Sequence, residues 1–191
     1  MDSKQNPISL EELTAQIDKE ARRADEGISG GGNLGAAYSN EQYIRFMLDD
    51  VYMAVPLSAA LEIGRQPRIT RLPNLPGWVL GVSNIRGEII SIVDLKAFFS
   101  MSPPGLKKTQ RFIIIRKDDI KTGITVDRII GIYTPEHKDI TRTQLYHSAD
   151  SQQMKWTPYI AAVLRAEDSV LNILDTGKLL TDRRMNAFSA E

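Results

Sequence analysis

Histidines, cysteines and activated serines most often carry catalysis or bind metals, and this chain of 191 residues has few of them. Its two histidines, His137 and His147, are ten positions apart, a spacing that matches no common zinc-binding pattern. There is no cysteine, which excludes disulfides and thiolate metal sites. No serine lies in a nucleophile elbow, and the glycine-rich stretch 27–37 lacks the Gly-Lys-Ser/Thr ending of a phosphate-binding loop. The sequence therefore predicts a protein without catalytic activity, metal or cofactor.

Two acidic pairs and two single aspartates are better explained by turns and helix caps than by catalysis. Asp49-Asp50 and Asp118-Asp119 each separate two apolar runs, as the residues of tight turns do. Asp94 and Asp175 each follow a β-branched run and precede a short apolar segment, which is the position of a helix N-cap. We therefore expect turns and caps at these carboxylates rather than acid–base chemistry.

One sequence pattern occurs twice in the chain. Glu88–Asp94 leads into a segment that ends in two large apolar residues, and Ser169–Asp175 does the same 81 positions later. Upstream, residues 51–63 and 120–132 each follow an acidic turn. A repeat of this length predicts two similar lobes with a groove between them, which favours a binding protein.

Alternating apolar and polar residues from Tyr43 onward predict a mainly β protein. Hairpins are expected around Asp49-Asp50 and Arg86-Gly87, where Gly87 can adopt the positive φ of a tight turn. Many short strands with frequent turns are typical of small barrels or a sandwich. Short helices are expected at the ends of the lobes.

Three segments are predicted along the chain. Residues 1–40 combine a helix, capped by Ser9 and Glu12, with a flexible glycine-rich linker. This leader is interpreted either as a loosely attached helix without a role of its own or as a docking or dimerisation helix. Residues 41–105 are expected to form the first lobe and residues 106–185 the second, and an exchange of strands between the lobes is left open.

Charge and composition narrow the class of partner. The chain has 24 basic and 24 acidic residues and only 7% aromatic residues, whereas proteins that bind single strands need a basic groove with stacking aromatics. A nucleic-acid-binding β-barrel module is therefore the alternative function, and no nucleic-acid partner is expected. The cluster of Arg65, Arg68 and Arg71 is interpreted as a solvated face or a site for an acidic protein. Because no signal peptide or long apolar run is present, we expect a cytoplasmic protein without direct membrane insertion.

The stretch from Leu72 to Leu95 strongly resembles the CheW family, the coupling proteins of bacterial chemotaxis-type signalling. It contains a Pro-x-x-Pro element, then Gly-Val-Ser-Asn-Ile-Arg-Gly, then a β-run that ends in Val-Asp-Leu. Leu61–Ile63 and Gly123–Asp127 match further family elements in the same order, so the resemblance covers about residues 41–180. It implies two five-stranded β-barrels packed together, in a non-catalytic adaptor that couples chemoreceptors to a CheA-type histidine kinase.

The resemblance also implies two binding surfaces. The groove between the lobes would bind the cytoplasmic tip of methyl-accepting chemoreceptors, which would recruit the protein to receptor arrays at the membrane. The other surface would bind the regulatory domain of the kinase. Position by position, the receptor groove would include Ala60, Glu62, Ile85, Arg86 and Val126. The kinase-facing surface would include Ile69, Thr70 and Gly81. For Arg86 a second interpretation stays open, in which its guanidinium braces the hairpin instead of contacting a partner.

Three positions depart from the family pattern. Ala60 replaces a larger aliphatic residue, Ser91 replaces a proline and Ala162 replaces a glycine. The long leader and the pair Phe98-Phe99 resemble coupling proteins of twitching-pilus or other alternative pathways. The sequence therefore leaves open which receptor and kinase the protein serves.

Overall fold

The computed structural model describes residues 41–101, 111–135, 140–141, 155–166 and 169–186. The strands are β1 (Tyr43–Leu48), β2 (Val51–Pro56), β3 (Ala60–Arg65), β4 (Val79–Ile85), β5 (Glu88–Asp94), β6 (Arg111–Lys117), β7 (Ile120–Val126), β8 (Arg128–Tyr133), β9 (Ile140–Thr141), β10 (Ile160–Ala166) and β11 (Ser169–Leu174). The helices are α1 (Leu95–Phe98), α2 (Thr176–Thr181) and α3 (Arg183–Asn186), with 3-10 turns at Leu57–Ala59 and Thr157–Tyr159. The predicted mainly β fold with short helices is confirmed. The predicted helix and linker of residues 1–40 lie outside the described residues.

Tight turns connect the strands of three hairpins. Asp49-Asp50 joins β1 to β2, Arg86-Gly87 joins β4 to β5, and Asp118-Asp119 joins β6 to β7. The first turn residue has a positive φ in each case, 49°, 53° and 52° respectively, and Gly87 has a φ of 89°. Positive φ values in a two-residue turn match the twist of the flanking strands. The acidic pairs are therefore turns, and the prediction for Gly87 is confirmed.

The strands form two sheets. The first sheet has the order β8-β1-β2-β11-β10-β9, and the second sheet has the order β3-β6-β7-β5-β4. β11 lies parallel to β2 and β5 lies parallel to β7, whereas the other neighbouring strands are antiparallel. The first sheet thus combines the hairpin nearest the start of the described chain with the last two strands.

The internal repeat is visible in this topology. The hairpins β1-β2 and β6-β7 occupy equivalent places in the two sheets, as do β10-β11 and β4-β5. Asp94 at the end of β5 and Asp175 directly after β11 each cap a short helix. Asp94 Oδ1 accepts a hydrogen bond from the amide of Ala97 at 3.1 Å, and Asp175 Oδ1 accepts one from the amide of Lys178 at 2.8 Å. The predicted N-caps are confirmed, and they account for both carboxylates.

The expectation of closed five-stranded barrels is wrong, because the described strand pairing leaves both sheets open. In the second sheet the edge strands are β3 and β4, and the segment between them contributes one isolated bridge, Thr70 to Val82. This segment contains Pro67, Pro73 and Pro76. Proline has no amide hydrogen to donate, so the segment cannot form a continuous ladder that would close the sheet.

A single apolar cluster connects the two sheets. It includes Phe46 and Val55 from the first sheet and Ile113 and Val126 from the second sheet, all with exposed fractions of 0%. The large apolar pairs that end the two repeats, Phe98-Phe99 and Leu179-Leu180, belong to the same cluster. Because α1 and α2 both bury apolar residues in this cluster, both copies of the repeat contribute to the core.

A polar cluster attaches the end of the described chain to this core. The Tyr159 hydroxyl donates to an Asp182 carboxylate oxygen and accepts a hydrogen bond from Arg184 Nη2 at 2.7 Å. The Arg184 guanidinium also lies 4.2 Å from the centre of the Phe98 ring, within range of a cation–π interaction. Phe98 belongs to α1 and Arg184 belongs to α3, so the cluster fixes the last helix to the centre of the molecule.

Burial, followed by the hydrogen bond to Asp182, raises the pKa of Tyr159 above its ordinary value of 10.0. Burial alone would raise the pKa of Asp182, but the hydrogen bonds from Tyr159 and from the Arg184 amide outweigh it and lower this pKa below 3.8. A lowered carboxyl pKa stabilises the folded state above the ordinary pKa, and this stabilisation is lost as the pH falls through the folded pKa. A raised tyrosine pKa stabilises the folded state below pH 10, and this stabilisation is lost as the pH rises through the folded pKa.

We therefore predict that the Asp182→Asn variant loses part of the acid sensitivity of the wild-type protein. The free energy of unfolding of the wild type should fall more steeply between about pH 5 and pH 2 than that of the variant, because only the wild type has this carboxylate to protonate. Urea unfolding at a series of pH values measures the two slopes. Parallel slopes would contradict the assignment of acid-sensitive stability to this cluster.

Candidate functional site

The turn between β4 and β5 presents an arginine at the surface. Arg86 Nε lies 2.9 Å from Glu62 Oε2, with 65% of the Arg86 side chain and 21% of the Glu62 side chain exposed. The turn itself is held by Asn84, whose Oδ1 accepts a hydrogen bond from the Gly87 amide at 3.0 Å. Glu62 lies on β3 and Arg86 follows β4, so this ion pair spans the two open edges of the second sheet. The Arg86 guanidinium has five N–H donors, and Glu62 lies against its Nε side. The remaining donors are available to solvent or to a partner.

The other three residues of the predicted receptor groove lie below the surface. Ala60 and Val126 belong to the cluster between the sheets, with exposed fractions of 1% and 0%. Ile85 is buried in a separate apolar cluster of the second sheet, which also contains Leu80. The structure thus brings Glu62 and Arg86 into direct contact, and it buries Ala60 and Val126 in one apolar cluster and Ile85 in another.

The three residues of the predicted kinase-facing surface lie close together. The amide of Thr70 donates to the carbonyl of Val82 at 2.8 Å, and the amide of Val82 donates to the carbonyl of Thr70 at 2.9 Å. Gly81 is buried beneath this bridge, with a φ of 135°. Ile69 packs against the apolar cluster of the second sheet, whereas Thr70 is exposed. Of these three residues, Thr70 is the one that is exposed.

The structure also reveals a buried lysine that the sequence analysis missed. Lys96 lies on α1 with 3% of its side chain exposed, and its Nζ lies 2.6 Å from Asp49 Oδ1 and 3.0 Å from Asp127 Oδ2. The amide of Asp49 donates to Asp127 Oδ2 at 2.8 Å. Asp127 directly follows Val126, so this charge cluster fixes the strand end that carries a predicted groove residue. Its one signal in the sequence is a lysine within the apolar segment Leu95–Phe99.

The described residues contain no candidate metal centre. Within them no group of three or more histidine, aspartate or glutamate residues is arranged to hold a metal ion. His137 and His147 lie outside the described residues. In the same part of the chain, no helix has the length and apolar character needed to cross a membrane. The arrangement that remains consists of surface charges, turns and exposed strand edges, which suits contacts with other macromolecules.

The family model for the CheW-like domain matches residues 42–184, which covers both sheets and the helices between them. Among curated relatives, Protein PilI of Pseudomonas aeruginosa is 29% identical over 63% of this chain and 66% of its own length. The chemotaxis protein CheW of Helicobacter pylori is 31% identical over 52% of this chain and 60% of its own length. The chain thus spans less than two thirds of these two relatives. Protein FrzA of Myxococcus xanthus is 25% identical over 79% of this chain and 92% of its own length.

One solved structure supports the fold independently. The scaffolding protein TtCheW from Thermoanaerobacter tengcongensis superposes with a TM-score of 0.61, covering 71% of this chain and 88% of that chain. At 22% identity, this similarity establishes the two-sheet fold alone. None of these matches supports the alternative of a nucleic-acid-binding module.

Proposed function

Because the chain belongs to the CheW-like domain family, we propose that it is a non-catalytic adaptor that couples chemoreceptors to a CheA-type histidine kinase. The pathway would be chemotaxis or a related one such as twitching motility. The observation that carries this proposal is the family match over residues 42–184, which includes both sheets and the Arg86 turn. Such an adaptor would act in the cytoplasm and would be recruited to receptor arrays at the membrane.

The test of this function is direct binding by the full chain. We expect it to bind both the regulatory domain of a CheA-type kinase and a fragment that contains the cytoplasmic tip of a chemoreceptor, each taken from the same cell. Titration calorimetry with each partner measures the two affinities separately. If the chain binds neither partner under conditions in which the two partners are folded, the proposed function is wrong.

For the receptor surface we propose the set Ala60, Glu62, Ile85, Arg86 and Val126. The support for this set is the surface ion pair between Arg86 and Glu62, two of its members, which the fold brings together from separate strands. A receptor tip is helical in this proposal, and a helix in a groove uses an apolar stripe flanked by polar contacts. Arg86 can supply the polar contact because its guanidinium offers several donors in a fixed plane.

For the kinase-facing surface we propose the neighbourhood of Ile69, Thr70 and Gly81. The support is their proximity around the Thr70–Val82 bridge, where the edge of the second sheet reaches the surface. Since Ile69 and Gly81 are largely covered, a partner would contact Thr70 and the residues beside it. Ile69 and Gly81 would contribute by holding this segment in place.

We predict that Arg86→Ala weakens binding of the receptor fragment about fivefold, equivalent to roughly 1 kcal/mol for an exposed charge contact. Binding of the kinase regulatory domain should change much less, because Thr70 and Gly81 lie away from the turn. Paired titrations of the variant against both partners measure this difference. The matched control is Lys121→Ala, which breaks the neighbouring ion pair with Glu88 at 2.6 Å. Equal losses for both partners would mean that Arg86 braces the hairpin and is not a selective receptor contact.

The proposed division of the chain into residues 1–40, 41–105 and 106–185 has its own test. The family match begins at residue 42, so we predict that a variant starting at Asn40 folds without the leader. Thermal unfolding of this variant should remain cooperative, with a midpoint close to that of the full chain. A broad transition would show that the leader contributes to the core.

A further inference from the structure

Three exposed arginines lie at the end of β3 and in the segment that follows it, without a partner in the described part of the chain. None of Arg65, Arg68 and Arg71 has an ion pair or side-chain hydrogen bond among the described residues. Both glutamates of the second sheet are already engaged, Glu62 with Arg86 and Glu88 with Lys121. The chain as a whole has no net charge, so this excess of positive charge is local.

The positions of these arginines increase the local repulsion. Arg65 lies directly opposite Arg111 across the β3–β6 pair, where like charges destabilise a sheet. Arg68 is fixed by its backbone, because its carbonyl accepts a hydrogen bond from the Ser83 hydroxyl at 3.0 Å. Exposed Arg68, half-buried Ile69 and exposed Thr70 alternate, so Arg68 and Thr70 face the same way. The backbone therefore holds the Arg68 side chain outward.

A cleft lined by Arg71 and by aliphatic and proline residues opens beside the last of these arginines. Its volume is about 240 Å³, and its lining includes Arg71, Leu72, Leu75, Pro76 and Leu80. Leu72 is 45% exposed at this cleft, which makes it one of few large apolar side chains in the described residues that face solvent. A cleft with this lining has room for one apolar side chain, and the Arg71 guanidinium at its rim can bind a carboxylate.

We propose that Arg65, Arg68, Arg71 and the cleft at Leu72 form a docking surface for an acidic peptide segment that carries a large apolar side chain. This docking surface adjoins Thr70. The inference rests on the proposed function, because the acidic segment is taken to belong to the kinase. The apolar side chain enters the cleft, and flanking carboxylates pair with Arg68 and Arg71. The carboxylates also bring negative charge near Arg65, which faces Arg111 across the β3–β6 pair.

The chemistry of the cleft favours an acidic peptide over a nucleic-acid strand as the partner. A nucleic-acid strand would need aromatic side chains for base stacking beside the arginines. The residues that line this cleft are aliphatic and proline side chains with one arginine and a glycine. An apolar side chain flanked by acids fits both halves of the surface, whereas a nucleic-acid strand would find partners for its phosphates but no ring in the cleft lining on which to stack a base.

The test uses the full chain and a short fluorescent peptide in which aspartate and glutamate flank one phenylalanine. Fluorescence anisotropy should show saturable binding that weakens as the salt concentration rises, since the charges are exposed. Arg68→Gln and Arg71→Gln should each lower the affinity roughly threefold to fivefold. Leu72→Ala should lower it by a similar factor. The matched controls are Arg183→Gln, an exposed arginine on α3, and Val170→Ala, an exposed apolar residue on β11; both should bind as the wild type does.

Several outcomes would overturn this proposal. One is that a peptide with asparagine and glutamine in place of the acids binds as tightly as the acidic peptide. Another is that the Arg183→Gln control loses as much affinity as Arg68→Gln and Arg71→Gln do. A third is that a single-stranded oligonucleotide binds more tightly than the peptide through the same arginines. Self-association of the chain that Arg68→Gln abolishes would assign the surface to a second copy instead. If the kinase regulatory domain binds the wild type and the arginine variants equally, the docking surface is wrong and the proposed function stands. If that domain does not bind the wild type at all, the proposed function fails, and the assignment of the segment to the kinase fails with it.

Discussion

Replacement of Gly81 by aspartate is expected to destabilise the folded protein by about 2–4 kcal/mol, enough to unfold a large share of the molecules in a marginally stable domain. Gly81 has a φ of 135°, a conformation that residues with a side chain rarely adopt. A Cβ atom at this position would overlap the carbonyl oxygen of Thr70 and lie 3.0 Å from the Cα of Arg71. That carbonyl belongs to the bridge with Val82, so the segment would have to move and break both of its hydrogen bonds.

Chemical denaturation of Gly81→Asp and Gly87→Ala separates the two causes of destabilisation. Gly87 also has a positive φ, of 89°, but no atom lies within 4 Å of the position that a Cβ would occupy, so only the backbone conformation is penalised. We expect Gly87→Ala to cost about 1 kcal/mol. Equal effects for the two substitutions would contradict the importance of the Thr70 contact. A loss of kinase binding in Gly81→Asp would therefore report misfolding as well as a lost contact.

Replacement of Lys96 by methionine is expected to lower the free energy of unfolding by about 3 kcal/mol. The Lys96 side chain is almost fully buried and forms ion pairs with both Asp49 and Asp127. Methionine retains the apolar stem but removes the charge, which leaves two carboxylates close together without a cation. Because Asp49 lies on the first sheet and Lys96 follows the second sheet, the loss weakens the connection between the sheets.

The matched control for Lys96→Met is Lys121→Met. Lys121 Nζ lies 2.6 Å from Glu88 Oε2, the same distance as that from Lys96 to Asp49, but both partners are considerably exposed. An exposed pair contributes about 0.2–1 kcal/mol, so the control should stay close to the wild type in a urea titration. If the two variants are equally stable, the burial of Lys96 has no energetic consequence and the prediction is wrong.

Local signals in the sequence were sufficient for the elements whose partners are near in the chain. Asp49-Asp50 and Gly87 act within turns, and Asp94 caps the next helix by accepting a hydrogen bond from an amide three residues away. In each case the residue type alone indicates the local backbone conformation, because turns and caps depend on neighbours along the chain. The internal repeat was readable for the same reason, since both copies keep the β-run, the capping aspartate and the apolar pair.

Features that depend on distant partners could not be predicted in the same way. Lys96 meets Asp49 from 47 residues away, and a lysine in a short helix is more often at the surface. The open sheets differ from the expected barrels because the segment between β3 and β4 contains Pro67 and Pro73, which lack the amide donors that a continuous ladder needs. The contact between Glu62 and Arg86 follows from how the second sheet brings its edges together, which residue spacing alone does not encode.

The position of β2 beside β11 determines when the first sheet can form. Asn172 donates a side-chain hydrogen bond to the carbonyl of Tyr52 at 3.0 Å, across a separation of 120 residues. During synthesis the hairpin β1-β2 leaves the ribosome long before β10 and β11 exist, so one edge of β2 stays without its final neighbour. Such distant pairings slow folding, and an unpaired edge can join with another chain. We therefore expect that nascent chains truncated before β10 associate with chaperones, and that the last strands complete the fold of the first ones.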